Sequence, residues 1–242
     1  MDSKWRTKYA SKRGIRHQVQ NLLCQDRVCY KEEDELQIIA LADGTSNNDL
    51  CIVGVEKVLN VICDKIIDQY ETIETKMQLG QEEEVKCFLT QKIQNEIEKL
   101  AIRYQVSERM FSSTMLVVCV NAKKNSFFSL HLGDGIIIYR KNGNYQILSE
   151  PENGSLKNQT YLTTSSSVKE HLRICFQCLE DVTEFLLVSD GTYEVPLDET
   201  EELYKELSLL EIVRKNLQPI LDKTGDFGNR VDDQSMIMIY NA

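Results

Sequence analysis

Thr114-Met115-Leu116-Val117-Val118-Cys119-Val120 is an apolar run closed by the polar Asn121-Ala122-Lys123-Lys124-Asn125. Ser126-Phe127-Phe128-Ser129-Leu130-His131-Leu132 follows, then Gly133-Asp134-Gly135, then Ile136-Ile137-Ile138-Tyr139-Arg140. Each apolar run is too short for a packed helix, and glycine, asparagine and lysine mark the breaks, so the runs read as strands. The next break, Lys141-Asn142-Gly143-Asn144, holds an Asn-Gly pair, the residues that a tight hairpin turn needs. Consecutive strands joined this closely run antiparallel. This stretch therefore decides for antiparallel sheets.

Outward from it, 183–189 and 235–240 read as further strands, and 36–42 as a buried strand on the N-terminal side. Helical spacing governs 49–69, where Leu50, Val53, Val58, Val61, Ile62 and Ile66 share a stripe. It returns in 81–104, where Val85, Phe88, Leu89, Ile93, Ile97 and Leu100 oppose a charged side. Glu82-Glu83-Glu84 reads as the solvated start of that second helix. Residues 201–217 read as helical, and 151–169 and 222–231 as loops. Residues 1–14 are basic and polar, with Trp5 and Tyr9 as anchors. No repeat and no shift of composition divides the chain. The expectation is one α+β domain over 1–242, with 1–13 readable as an N-terminal extension. Its antiparallel sheets would carry paired helices on their outer faces.

The net charge of −10 argues against general nucleic-acid binding, which rests on lysine and arginine, and suits a collector of divalent cations. No segment approaches the apolar length of a membrane helix, and the charged N-terminus leads into no signal-peptide core. The eight cysteines lie largely in apolar runs, as reduced thiols do, so a cytoplasmic setting is expected. Cys175-Phe176-Gln177-Cys178 lacks a second ligand pair and reads as structural, within a strand-like segment. His17, His131 and His171 form no spaced ligand set, and there is no phosphate-binding P-loop.

Two strands share an ending: Ile38-Ile39-Ala40-Leu41-Ala42-Asp43-Gly44 and Phe185-Leu186-Leu187-Val188-Ser189-Asp190-Gly191. Two further acidic points are Gly133-Asp134-Gly135 and Asp232-Asp233-Gln234-Ser235. A strand delivers a terminal carboxylate to one end of a sheet, and glycine beside it permits close approach of a ligand. Asp-Gly is also ordinary turn chemistry. If the ends meet, converging carboxylates repel, and a hard cation such as Mg²⁺ or Mn²⁺ resolves the conflict.

In order along the chain, Gln25-Asp26, Asp43-Gly44-Thr45-Ser46, Ser112-Ser113-Thr114, Gly133-Asp134-Gly135, Ser189-Asp190-Gly191 and Asp232-Asp233-Gln234-Ser235 resemble the motif series of the metal-dependent protein phosphatases, the type 2C or PPM family. The likeness runs from about residue 14 to the C-terminus. Gly14-Ile15-Arg16-His17, Asn21 and Cys24-Gln25-Asp26 are similar to a bacterial branch of it. The resemblance implies a central antiparallel β-sandwich flanked by helices, in four layers α-β-β-α. It implies hydrolysis of phosphoserine and phosphothreonine by a metal-activated water, with catalytic Asp26, Asp43, Asp190 and Asp232. Two Mn²⁺ or Mg²⁺ ions would be held by Asp43 as a bridge, the Gly44 carbonyl, Asp190 and Asp232, with Asp26 binding through water. Asp134 and Asp190 are candidates for a weaker third ion. The implied partners are a phosphoprotein substrate and a cognate Ser/Thr kinase, with no nucleic acid, no membrane and a monomeric chain.

The sequence departs from the family pattern in places. Asn21 stands where a phosphate-binding arginine is usual, Gln25 where a glutamate is, Ser46 for a glycine and Asp233 for an asparagine. Arg16, Arg27 and His17 are the candidates to replace the arginine, although an isolated histidine is more often packed or solvent-facing. Cys24 beside Asp26 is a candidate oxidisable thiol. These departures keep a second reading open, a degenerate phosphatase fold that binds or regulates without hydrolysis. A metallohydrolase of small phosphoesters is a third. The polar loop 151–169 lies where family members carry a variable flap, a source of substrate choice.

Overall fold

The computed structural model describes residues 5–45, 49–154, 160–193, 217–219, 221 and 232–241. Ten strands form two five-stranded sheets, and every pairing is antiparallel. One sheet has the order β1 (Trp5–Lys12), β10 (Gln234–Asn241), β9 (Val182–Val188), β6 (Ile136–Lys141), β7 (Asn144–Ser149). The other has the order β2 (Arg27–Glu33), β3 (Leu36–Ala42), β4 (Met115–Asn121), β5 (Ser126–Leu132), β8 (Arg173–Cys178). The β6–β7 turn places Asn142 at φ 52° and Gly143 at φ 78°, two left-handed residues in succession, as the Asn-Gly pair requires.

Alternation along the strands explains the layering. Ile39 and Leu41 of β3, Val118 and Val120 of β4, Phe185 and Leu187 of β9 and Ile237 and Ile239 of β10 meet in the core between the sheets. Their neighbours Ile38, Ala40, Val117 and Cys119 face the other way, onto α2 (Leu50–Gln78) and α3 (Glu82–Tyr104). On the far side, Ile138, Leu186, Met236 and Met238 pack with Leu217 and Leu221. Strands buried on both faces are continuous apolar runs, which is why the central strands were visible in the sequence. Three acids open α3, favourably placed at the positive end of the helix dipole. Shorter helical pieces among the described residues include α1 (Ile15–Val19), a 3-10 turn at Glu108–Phe111, α4 (Val168–His171) and α5 (Asp190–Tyr193).

Some expectations need correction. Residues 5–12, read only as a polar segment, form β1, paired along its length with β10 from Trp5↔Asn241 to Lys12↔Gln234. Trp5 is the anchor expected, but Tyr9 is 66% exposed. Residues 27–33 form β2, which had no separate reading. Both are edge strands with polar or charged residues on the open side, so little apolar period marks them. The helix read over 49–69 runs on to Gln78 through a kink at Gln69, beyond which only Tyr70, Ile73 and Glu74 are buried. The last two residues of the expected loop, 168 and 169, open a short helix that runs to His171. All but Leu217 of the helix expected over 201–217, and the loop over 222–231, lie outside the described residues. Among the described residues, no helix is long and apolar enough to cross a membrane.

Phe185 is fully buried and meets Phe127 at 4.8 Å, Trp5 at 6.1 Å and Tyr139 at 6.5 Å between ring centroids. Phe185→Ala should therefore cost about 3–5 kcal/mol in urea denaturation. A loss below about 1 kcal/mol would show that the sheets do not depend on this cluster for their packing.

Candidate functional site

Both sheets stop at the same edge. β3 ends at Ala42, and Asp43 is fixed beyond it: its N–H donates to Thr114 Oγ1 at 3.0 Å and its carbonyl accepts from Thr114 N–H at 2.9 Å. The Arg27↔Ala42 pairing sets Asp26, one residue before β2, opposite Asp43. In the other sheet, Ser189 N–H donates to the Ser235 carbonyl at 3.0 Å, and Ser235 N–H donates to Ser189 Oγ at 2.9 Å. That exchange holds Asp190 against the segment entering β10. Gly191 is essential to it, since a Cβ there would stand 2.0 Å from the Asp233 carbonyl oxygen. Gln234 Nε2 completes the clamp on the Gly191 carbonyl at 2.9 Å.

The sheets meet through Asp26 and Ser189, whose Oγ donates to Asp26 Oδ2 at 2.9 Å. Asp26 Oδ1 is buried and accepts no hydrogen bond. Burial first, then the charge of Asp233, pushes the Asp26 carboxyl up to about 6. Burial lifts Asp43 well above the carboxylate range, with Asp26, Asp190 and Asp232 adding repulsion. Asp190 is lifted for the same reason, with Asp134, Asp26 and Asp232 as its neighbours. Asp134 is raised by burial and partly relieved by a hydrogen bond from Thr160 Oγ1. All the acids singled out in the sequence thus share one electrostatic cluster. Among the described residues, no three histidine, cysteine or acidic side chains already converge on a single coordination point.

Gly44 bridges to Ser113 and is closely packed: an added Cβ would meet Cys51 Sγ and Val55 Cγ2 at 3.0 Å and the Gln25 carbonyl at 3.3 Å. Asp233 has a part that the sequence did not reveal. Its carboxylate accepts from Gly14 N–H at 2.7 Å, Gln25 N–H at 2.5 Å and His17 Nδ1 at 2.8 Å. It latches the segment before Asp26 onto the start of β10. These partners lie as far as 219 residues apart, and no local spacing could have signalled them.

The sequence matches Protein phosphatase 2C over residues 13–230. The chain belongs to that family. No protein of curated function matches it. Among solved structures, it is similar to the S. agalactiae serine/threonine phosphatase at 16% identity, covering 99% of this chain and 100% of that one, with a TM-score of 0.71. The catalytic domain of the serine/threonine protein phosphatase PstP, in complex with two manganese ions, aligns at 12% identity, 98% and 97% coverage and a TM-score of 0.60. RsbX in complex with magnesium aligns at 15% identity, 98% and 96% coverage and 0.61. At such identities these likenesses establish the fold.

Within this protein phosphatase 2C fold, the departures gain physical content. His17 is buried and bound to Asp233, a packed histidine and not a free phosphate ligand. Arg27 is also engaged: Nη1 donates to the Cys24 and Asp26 carbonyls at 2.6 and 2.7 Å, and Nε donates to Glu56 at 3.0 Å. Arg16 is exposed on α1, and Asn21 is exposed with φ 55°. Gln25 is fully buried. Burial, with Asp26 and Asp233 beside it, pushes the Cys24 thiol up, away from reactive thiolate. The segment expected to form a flap docks at the site's margin, where Thr163 N–H donates to the Ser113 carbonyl at 2.9 Å and Ser112 Oγ meets Thr164 Oγ1 at 2.6 Å.

The Asp26 shift has a defined sign. A carboxyl whose folded pKa is about 6 binds more protons in the native state than the unfolded chain does. Its penalty is absent below about pH 4 and complete above about pH 6, up to about 3 kcal/mol. In EDTA, Asp26→Asn should therefore gain stability relative to the unaltered protein across that window, read by urea denaturation. A difference independent of pH would mean that Asp26 is not held as described.

Proposed function

We propose that this chain is a metal-dependent serine/threonine protein phosphatase. The observation that supports it best is the meeting of buried Asp26 with half-buried Asp43, Asp190 and Asp232 at one sandwich edge, with Asp26 Oδ1 left without a donor. A buried, unpartnered carboxylate oxygen among like charges is costly unless a cation completes it. The donor set is all oxygen, which suits Mg²⁺ or Mn²⁺ and not softer metals. Asp43, the Gly44 carbonyl, Asp190 and Asp232 would hold two such ions, Asp26 would add support, and Asp134 with Asp190 would hold a weaker third. Bound there, the ions would acidify a water and neutralise charge on the phosphoryl oxygens.

The chain's own residues do the positioning. The Thr114 hydroxyl and N–H fix Asp43 at the end of β3, and Ser189 Oγ holds the Asp26 carboxylate by Oδ2, leaving Oδ1 without a donor. Gly191 lets Asp190 approach Asp232 because nothing larger fits against the Asp233 carbonyl. Rigid delivery of this kind keeps the acids in place when the reaction's charge develops. The substrate is a phosphoprotein, opposed by a kinase, and the acidic composition and free thiols support a cytoplasmic setting.

A second reading, a binding or regulatory module on the same fold, is favoured by one observation. Of the candidate replacements for the missing arginine, Arg27 and His17 are committed elsewhere. Hydrolysis of p-nitrophenyl phosphate in EDTA, Mg²⁺ and Mn²⁺ separates the two. The phosphatase reading expects turnover only with metal, reduced about a hundredfold or more in Asp190→Ala. Full turnover in EDTA or in Asp190→Ala would sink the site assignment, and folded protein inert with both metals would establish the module.

A further inference from the structure

β1 and β2 are the edge strands of the two sheets and face each other along one side of the sandwich. With side chains alternating, Trp5, Thr7, Tyr9 and Ser11 share the face of β1 that looks toward the other sheet. Val28 and Tyr30 share the corresponding face of β2, while Cys29 turns toward the helices. At one end Trp5 closes the gap by packing on Phe185. Toward the carboxylates nothing of that size fills it. What remains is a groove of about 320 Å³ lined by Tyr9, Ser11, Val28, Tyr30 and Ile237, and it opens onto Cys24 and Asp26. Asp26 is therefore common to the groove and the acid cluster.

The surroundings are unusual for this chain. Five of the eight exposed large apolar side chains among the described residues lie between positions 9 and 30: Tyr9, Ile15, Val19, Leu23 and Tyr30. Apolar surface gathered beside a site marks a contact face. Residues 5–16 also contain Arg6, Lys8, Lys12, Arg13 and Arg16 and no acid, although the whole chain carries −10. Arg6, Lys8 and Lys12 alternate onto the opposite face of β1, with Ala10, so the groove itself is apolar and aromatic in character and its shape complements an apolar side chain.

Resting on the phosphatase reading, we infer that this groove is a specificity subsite that receives a bulky apolar or aromatic side chain next to the phosphorylated residue of a phosphoprotein segment. A phosphoryl group at the carboxylates puts its flanking residues at the groove mouth, because Asp26 belongs to both. The volume suits a single large side chain. An apolar pocket of this type discriminates by about tenfold or more between a side chain that fills it and glycine.

The test uses phosphothreonine peptides of otherwise constant sequence, in which phenylalanine or glycine is placed in turn at each position beside the phosphoresidue. kcat/KM is measured with Mn²⁺ alongside p-nitrophenyl phosphate. The expected result is a preference for phenylalanine of about tenfold at one position. In Tyr9→Ala/Tyr30→Ala that preference should fall below about threefold, with p-nitrophenyl phosphate turnover unchanged. Both tyrosines are well exposed, so their truncation leaves the core intact. No preference in the unaltered protein, or one that survives the double variant, overturns the inference. Folded protein inert toward p-nitrophenyl phosphate overturns the phosphatase reading instead. The groove is then judged by fluorescence anisotropy with the same peptides, where equal affinity for the phenylalanine and glycine forms overturns it as well.

Discussion

Mutual repulsion among buried carboxylates is the constraint around which this molecule is organised. Burial pushes Asp26, Asp43 and Asp190 each above the carboxylate range, and neighbouring acids add to it, Asp233 for Asp26 and the other acids of the cluster for Asp43 and Asp190. Left on flexible loops, they would separate into water. Each is instead attached to something stiff: Asp43 to the end of β3, Asp190 to the turn into α5, and Asp26 to the residue before β2. The hydrophobic layers between and outside the sheets stabilise an arrangement that its electrostatics oppose.

The short polar contacts around the cluster transmit that stiffness. Ser189 serves two neighbours at once, bonding Asp26 and exchanging hydrogen bonds with Ser235. Asp233 is a buried carboxylate of another kind, because three donors satisfy it. Two adjacent aspartates, Asp232 and Asp233, thus have opposite situations. Asp232 belongs to the group of acids left facing one another, while Asp233 is saturated and structural. Charge-assisted bonds of this type are among the stronger ones available to a fold.

Much of this was legible in the sequence because central strands and glycine turns leave strong local marks. The strand 36–42, the hairpin at Asn142-Gly143 and the ordered acidic motifs pointed to the antiparallel sandwich and to the acids that cluster. Edge strands leave weaker marks. β1 buries little beyond Trp5 and Ala10, and β2 has no fully buried residue, so period alone could not find them. The Asp233 latch was invisible for a different reason: its partners are remote in sequence and two of them are backbone N–H groups, which any residue type supplies. Arg27 looked available for phosphate because sequence lists charges, not their commitments to nearby carbonyls.

The pairing of β1 with β10 bears on how the chain acquires its shape. Trp5 lies opposite Asn241, so the earliest strand has no partner until the latest one exists. The β4–β5 hairpin and the two long helices, which pack on each other, have their contacts close in sequence and can order during synthesis. The other sheet stays open at one side meanwhile, with Trp5 unburied, and closing it requires a loop spanning nearly the whole chain. Contacts this distant are slow to form. Emergence of the final strand is therefore the event that seals the inter-sheet core, and with it the acid cluster, since Ser235 and Asp233 arrive on that same strand and its approach.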